Sequence, residues 1–591
     1  MTTETPSDRT TVATTTGSPH TADGTTRTAD GITHTTIGGI RAVLAPGSGP
    51  VTAGLFFRVG RADETLATSG VTHLVEHLAL HRHGLSDLHY NGATAAIHTH
   101  FHVTGTPADV VEYLNGVCAA LRDLPLDRLE TEKDILRTEA AGRAHGPAHG
   151  MALWRYGARG HGLTSFGEAG LHRLTASNVR DWAQTRFTAE NAVLWMTTDT
   201  VPEGLDLTLP TGTWHPAPEP TSALPTTPAH FVGGDGGMVL TSVIPRSAAG
   251  VLFTEVLGKE LFRALRQKGG YSYTAAADHH PRDADSATVT AYADALPQQQ
   301  DAMVGAFVDV LAALRAGRIE QADLDSVRTA ALARFDVPEP AVARLPSEAL
   351  DLLLRRPLRT FAEARAELEA VTVADLGRTA REVWAGALID VPTRGLEWAG
   401  TTAAPTRSDD VVTGPRWSAR DDRRNAVIVG RDGISLVGPD TQITVRYADC
   451  VLLYAFPDGG RHLVGADGFT LTVEPTLYGI TAAELAHLDA GVPPASVVRM
   501  PPRDPDRVPR PRTPEPAGPL SRKGWLTAVM WLLGIPALVL GGLSAIVTLA
   551  LISDGTDDST QWLVVAALWI VSAVFLIPWG VCLRRRHNGL G

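Results

Sequence analysis

Apolar and polar positions alternate in short bursts along much of the chain, and between the bursts apolar residues recur every three to four positions. The first period belongs to half-buried strands and the second to amphipathic helices. Residues 40–46 and 52–60 read as strands parted by the turn-rich PGSGP. A helix is predicted from about Ser69, with further helices over 108–124 and 127–143, and strand character returns at 191–199. The Pro-rich stretch 215–230 then marks a linker. From about Phe231 to Glu397 the alternation repeats: strand 238–245, helix 251–267, strands 271–278 and 286–294, helix 298–317. Two successive α+β units of similar size predict a pseudo-duplicated architecture, although no sequence repeat accompanies it.

From about Pro415 to Pro493 the pattern changes to short strands with Gly and Asp turns, closed by one helix over 481–491. A small antiparallel sheet with a terminal helix resembles a bacterial pleckstrin-homology-like (PH-like) domain. The ends differ again. Residues 1–30 are Thr-rich with almost no large apolar side chain, which predicts disorder, and they lack the apolar core of a secretory signal. Residues 501–519 are crowded with Pro and Arg and read as an extended spacer. Two apolar runs follow, one between Lys523 and Asp554 and one from Gln561 to Arg584, each long enough to span a bilayer and carrying Trp near its ends. Arg510, Arg512, Arg522 and Lys523 precede the pair and Arg584, Arg585 and Arg586 follow it, while the connecting loop holds Asp554, Asp557 and Asp558 and no basic residue. By the positive-inside rule both outer ends, and with them the large N-terminal part, face the cytoplasm.

Composition narrows this picture in three ways. At 591 residues the chain is long enough for about four domains. A net charge of −12 argues against a broad electrostatic grip on nucleic acid. Three widely separated cysteines, Cys118, Cys450 and Cys582, exclude a disulfide framework and a Cys-rich zinc module, and they fit a reducing compartment.

Candidate chemistry is concentrated at His73-Leu74-Val75-Glu76-His77. Residues four apart share a helix face, so both imidazoles can reach a single metal ion. Glu76 stands at the edge of that face, where it can act as a general base on a water without being a ligand. Thr68 or Ser69 is available as an N-cap, and Val71, Leu74, Val75 and Leu78 supply apolar packing. His81 and His83 follow closely and are placed to compete for metal. Further on, Glu132 and Glu139 are seven apart, close to two helical turns, and so point the same way. Glu130 points nearly the opposite way.

This H-x-x-E-H order is that of the inverted zincins. With the later Glu pair, it resembles the insulinase or pitrilysin-like (M16) family of zinc metallopeptidases, together with mitochondrial processing peptidase. The resemblance covers about Gly31 to Glu397. It implies zinc held by His73, His77 and Glu139, with Glu132 supporting the ligands. Asn91, Ala93, Thr94 and Thr99 in NGATAAIHTHF look like the family's strand that accepts substrate as an added strand. Arg266 and Tyr273, seven apart, match the pair that binds the substrate backbone and stabilises the oxyanion, with Tyr271 as an alternative on the same strand. Two features depart from the family: a shorter His77–Glu139 spacing, and LALHRHG in place of the short turn after the motif.

The fold class expected is α+β: two insulinase-type units of antiparallel sheet flanked by helices (31–215 and 228–400), a small β-rich PH-like domain (415–500), a Pro-rich linker (501–522) and a transmembrane hairpin (525–583), after a disordered tail (1–30). The function expected is a membrane-anchored zinc metalloendopeptidase with one zinc per chain, acting on peptides or small unfolded proteins. The hairpin would contact membrane lipid, and the chain would pair with itself or a related subunit, because complete enzymes of the family close two halves over the substrate. The rival readings are a noncatalytic insulinase-fold scaffold in a membrane complex, and a PH-like and hairpin core with the peptidase units as a sensor.

Overall fold

The computed structural model describes residues 25–81, 89–142, 146–233, 236–511, 522–554 and 563–574. They form two compact units, one up to Pro509 and one from Arg510.

The first sheet has seven strands: β1 (Thr26–Arg27), β2 (Thr33–Ile37), β3 (Ile40–Leu44), β4 (Val51–Phe57), β5 (His89–Thr94), β6 (Thr99–Gly105) and β7 (Ala192–Met196). Their order is β1-β2-β3-β7-β4-β6-β5, which leaves β5 on an edge. Helices α1 (Val71–Leu80), α2 (Pro107–Arg122) and α3 (Leu129–Gly142) lie where the periodicity predicts helices, and the short α4 (Met151–Tyr156) and α5 (Ala176–Arg186) are added to them. Alternate residues of β6 (Phe101, Val103) and of β4 (Ala53, Leu55, Phe57) bury against Val71, Leu74, Val75 and Leu78 of α1 in one apolar core. The start of the chain corrects the expected tail: Thr26 pairs with His34 and Arg27 with Thr33, so the sheet extends into 25–30. Residues 1–24 lie outside the described residues.

The second sheet contains β8 (Ala229–Val232), β9 (Gly237–Pro245), β10 (Ala275–Pro281), β11 (Ser286–Asp294), β12 (Leu388–Val391) and β13 (Thr402–Ala403), in the order β10-β11-β9-β12-β8-β13. Its helices are α6 (Ala248–Leu261), α7 (Gln300–Arg315), α8 (Gln321–Leu332), α9 (Pro340–Leu353), α10 (Phe361–Ala370) and α11 (Val373–Ala385). The duplication absent from the sequence is present in the topology. In the first sheet β3 runs parallel to β7, which is antiparallel to β4, then β6, then β5. In the second, β8 runs parallel to β12, which is antiparallel to β9, then β11, then β10. Helix α1 connects β4 to β5, and α6 connects β9 to β10. The two helices are therefore topological twins.

The predicted linker does not isolate the two halves. Helix α9 crosses back and packs Leu345, Ala349 and Leu353 on the outer face of the first sheet, against Val43, Phe56, Val193 and Trp195. Residues 215–230 lie along the protein rather than free of it: His215 O accepts from the Arg58 guanidinium and the Thr221 hydroxyl donates to Tyr156 O.

The third region is a four-strand meander, β14 (Arg416–Ser418), β15 (Ala426–Val429), β16 (Gly433–Val437) and β17 (Gln442–Arg446), followed by a three-strand meander, β18 (Cys450–Ala455), β19 (Arg461–Gly465) and β20 (Thr470–Val473). A one-turn helix α12 (Pro475–Tyr478), helix α13 (Ala482–Gly491) and a strand β21 (Val497–Arg499) beside β18 complete it. The expected spacer begins later than its Pro content implies, because Arg503 makes paired hydrogen bonds to Asp458 and to Glu474, and the Thr476 hydroxyl donates to Pro509 O. Two carboxylates on one guanidinium fix that segment to the sheet. Cys118 and Cys450 are buried and unpaired, and Cys582 lies outside the described residues.

In the C-terminal unit, α14 (Arg522–Asp554) contains a stretch, Trp531–Ala550, long and apolar enough to cross a membrane. The described part of the next helix, α15 (Leu563–Val574), is shorter. The two touch through Ser544 and Ser572 hydroxyls 3.1 Å apart, and Trp569 Nε1 donates to Thr548 Oγ1 at 3.1 Å. The loop acids Asp557 and Asp558, and Arg512 and Arg584–Arg586, lie outside the described residues.

One buried charge tests this packing. Arg58 is fully buried, ion-paired to Asp63 and bonded to the carbonyls of Ile97 and His215. Replacing Asp63 with Ala strands the guanidinium, and removing one partner of a buried pair costs about 3–5 kcal/mol. Asp63→Ala is expected to lower the apparent melting temperature of the large unit sharply. An unchanged melt would contradict the buried pairing.

Candidate metal centre

Helix α1 begins without either expected cap. Its N-cap is Gly70, with φ +95°, a left-handed conformation in which glycine is favoured, so Thr68 and Ser69 stand outside the capping position. The free N–H groups are taken instead by Glu64, whose Oε2 accepts from Gly70 N at 2.9 Å and Oε1 from Thr72 N at 2.8 Å. A carboxylate at a helix N-terminus complements the dipole. Burial nevertheless pushes Glu64 up to about 7, against the pull of those backbone donors. At the other side of the same turn, Trp182 Nε1 donates to Thr72 Oγ1 at 3.1 Å.

With α1 so anchored, His73 and His77 project from one face, ring centroids 4.7 Å apart and edge to face. His73, Glu76 and His77 each offer a donor atom within 4.8 Å of the others. The two rings are oriented alike. His73 Nδ1 lies 2.6 Å from Glu168 Oε1, and His77 Nδ1 lies 3.4 Å from Glu132 Oε2. A carboxylate can only accept, so each Nδ1 carries a proton, and in the neutral ring Nε2 presents the lone pair. Both Nε2 atoms face Glu139, at 3.9 Å from His73 and 3.6 Å from His77. These separations exceed hydrogen-bond length and are near the roughly 3.4 Å between neighbouring donors around a tetrahedral zinc ion. Two imidazoles backed by carboxylates, with a third carboxylate opposite, are a donor set suited to zinc. The residues fit the ion.

Glu76 is buried. Its Oε2 accepts from Thr94 Oγ1 at 2.6 Å, and a Cβ on Gly92 would come within 2.7 Å of Oε1, so the glycine makes room for the carboxylate. Burial raises the Glu76 carboxyl above its ordinary range, opposed by His73, Thr94 and His77. Burial pulls His73 down, but the Glu168 hydrogen bond and the Glu76, Glu168 and Glu139 charges outweigh it and leave the ring raised. A dication at the Nε2 atoms would act on both groups in the opposite sense.

Thr94 belongs with Asn91 and Ala93 to β5, the edge strand. Thr99 is not on that edge: it sits on β6, inward, donating to Val59 O at 2.9 Å. His81 Nδ1 is 4.0 Å from Glu132 Oε1, facing the carboxylate that backs His77. His83 lies outside the described residues. Glu130, as expected, points away and pairs with Lys133.

Glu168 escaped sequence reasoning. It lies in a turn, Gly167–Gly170, that no periodicity marks, and only the fold brings it to His73; an acidic residue between two glycines was its sole local signal. The turn is held from both sides. Gly170 N donates to Ser69 O beside α1, and the Tyr454 hydroxyl of β18 donates to Ala169 O at 3.2 Å. Arg173 just beyond bonds the carbonyls of Pro494 and Val497, while Leu66, Ala67 and Leu163 share a core with Leu452, Val464 and Val498.

Arg266 and Tyr273 are brought to each other but not to the histidines. Helix α6 runs into a wide π-helical segment, Phe262–Lys268, which carries Arg266; its guanidinium carbon lies 5.0 Å over the Tyr273 ring and 5.1 Å over Phe262. π-helical turns recur at functional positions. The tyrosines are not on a strand, which corrects the prediction for 271–278. Asp294 Oδ1 accepts from the Ser272 hydroxyl and from the N–H groups of Tyr273 and Thr274, holding the segment as a loop until β10 starts at Ala275. Tyr271 therefore packs toward the second core, and Tyr273 is 78% exposed. No contact among the described residues joins this pair to His73 or His77.

Residues 237–331, within the second half, match the family profile described as the peptidase M16 inactive domain; the match does not reach His73–Glu139. No curated protein sequence matches significantly. Among solved structures, a protease from Helicobacter pylori superposes with TM-score 0.51 at 17% identity, covering 61% of this chain and 99% of that one. The first half of the periplasmic protease PqqL from Escherichia coli gives TM-score 0.50 at 14% identity over 64% and 95% of the two chains. The peptidase M16 inactive domain from Pseudomonas fluorescens gives 0.50 at 15% over 63% and 98%. The fold is thus that of the M16 peptidases.

Carboxylates that orient ligand histidines are worth about 10–100-fold in metal affinity. Glu168→Gln is expected to weaken zinc binding by about that factor in competition with a chromogenic chelator, while melting with metal removed stays near wild type. Unchanged zinc affinity would show that Glu168 does not orient His73.

Proposed function

We propose that this chain is a membrane-tethered zinc metalloendopeptidase acting on peptides or small unfolded proteins. The observation that carries the reading is the convergence of both Nε2 lone pairs on Glu139 while both Nδ1 atoms are held by carboxylates. His73, His77 and Glu139 would hold the metal. Zinc, when bound, supplies a Lewis acid and a water of lowered pKa. Glu76 Oε1 or Oε2 takes the proton of the attacking water and delivers it to the leaving amine. Thr94 keeps that carboxylate at the end of β5, whose outer edge pairs with no strand among the described residues and suits an added peptide strand along Asn91, Ala93 and Thr94. The substrate is thereby aligned beside its base.

Arg266 and Tyr273 are donors of the kind that stabilises charge on a scissile carbonyl. They lie on the β9–β10 connection, the counterpart of the β4–β5 connection that carries both histidines. A second copy or a related subunit facing this one would bring its Arg and Tyr to this metal site. The coverage of 95% of the first half of PqqL, against 56% of the whole, supports reading the chain as one half of a clamshell. The inactive-domain match favours the rival reading of a noncatalytic scaffold, but it falls outside the residues of the metal centre.

The third region, with four strands, three strands and a following helix, is read as a PH-like domain. The C-terminal helices are read as a hairpin anchor, supported by the exposed Trp531, Leu532, Leu538 and Ile546 around α14. The basic residues Arg510, Arg512, Arg522 and Lys523 before the pair and Arg584, Arg585 and Arg586 after it support a cytoplasmic peptidase part by the positive-inside rule.

Four outcomes test this reading. Purified protein is expected to carry about one zinc per chain. Glu76→Gln keeps the zinc and loses nearly all peptide hydrolysis, whereas His77→Ala and Glu139→Gln lose both; full activity after exhaustive chelation would refute it. Mixing Glu76→Gln chains with Arg266→Ala chains is expected to restore part of the activity that each lacks alone. Failure to recover assigns the second half to the same chain or to a different subunit. In protease shaving of intact spheroplasts the large unit is expected to survive; its loss with cytosolic markers untouched would place it outside.

A further inference from the structure

A cavity of about 330 Å³ lies between the two halves of the large unit, apart from the metal centre. Its apolar walls include Ile97, Met151, Leu350 and Leu354, and its polar lining is basic or neutral, with His98, Arg155, His161 and Arg282 and no Asp or Glu among the described residues. Arg282 is already neutralised by Asp283 at 2.7 Å. Arg155 is not. Its Nη2 donates to the carbonyls of Thr241 and Gly386 at 2.7 and 3.0 Å, and no carboxylate pairs with it among the described residues. Burial lowers its pKa, the sign of a cation short of compensation. The unpaired His161 Nε2 and His98 Nδ1 are sealed from the cavity, which leaves Arg155 as its anion-binding group.

We propose that this cavity binds the C-terminal carboxylate of a short peptide whose last residue is apolar. One uncompensated guanidinium matches one negative charge. The apolar wall suits the terminal side chain, and the volume is at the small end of ligand pockets, sufficient for a peptide end and not for a folded protein. One wall, Ala95–His98, is the turn that follows edge strand β5, so a peptide lying along that edge leads toward the cavity. The inference deepens the peptidase reading on which it rests: the cavity would anchor a substrate or product by its carboxyl end.

The test is calorimetric titration of the full-length Glu76→Gln protein, with metal removed so that the probe has neither an ion to ligate nor a route to hydrolysis. N-acetyl-Ala-Leu is expected to bind saturably and at least tenfold more tightly than its C-terminal amide. Arg155→Gln abolishes this binding and Arg155→Lys retains part of it. Arg155 also bridges the two halves, so if Arg155→Gln does not fold, the comparison of acid with amide on the parent protein decides. Equal binding of acid and amide, or undiminished binding by a folded Arg155→Gln, overturns the site. Isovalerate displacing the peptide at the same concentration overturns the peptide in favour of a small acid. None of these outcomes depends on hydrolysis, so a site that binds as expected in a protein without peptidase activity would separate the two claims.

Discussion

Each imidazole on α1 has its Nδ1 tied to a carboxylate, and much of the first half of the molecule is arranged to keep those two carboxylates in place. Glu132 is carried by a regular helix whose register sets its direction. Glu168 is carried by a turn, which has no register of its own, and the turn depends on what grips it. Ser69 grips it from the start of α1 and Tyr454 from the third region. Without those grips His73 would be free to rotate or to take its proton on the other nitrogen, and Nε2 would no longer be directed at Glu139.

That dependence gives the β-rich third region a structural place. It is not strung out behind the peptidase fold: it shares an apolar core with the segments on either side of the Glu168 turn, and Arg173 extends the contact to Pro494 and Val497. The Arg503 pairs tie the chain leaving this region back onto its own sheet. The large unit is therefore continuous from the first strand to Pro509.

Local chemistry was legible and tertiary chemistry was not. The H-x-x-E-H helix and the seven-residue Glu132–Glu139 spacing could be read because both ligands and partner follow helical periodicity, and β3, β4, β7, β9 and β11 because alternation marks half-buried strands. Glu64 and Glu168 could not, since each acts across a fold contact: one replaces a cap that Thr68 or Ser69 was expected to supply, the other arrives 95 residues after its histidine. Tyr271 and Tyr273 looked like strand residues by composition, and Asp294, a residue of the neighbouring strand, keeps them in a loop. The duplication was visible as two similar rhythms; only strand order shows that α1 and α6 are equivalent. Crossing elements such as α9 carry an amphipathic face without any sign of which sheet it will cover.

The central claim is that α1 and α3 together hold zinc through two imidazole Nε2 atoms and one carboxylate. X-ray absorption at the zinc edge of the purified full-length protein tests it most directly. The account predicts about one zinc per chain, with a first coordination shell of nitrogen and oxygen at about 2.0–2.2 Å, outer-shell scattering from two imidazoles, and no sulfur. Loss of one imidazole contribution in His73→Ala would complete the assignment. A sulfur shell near 2.3 Å, or zinc well below one per chain after reconstitution, would contradict it.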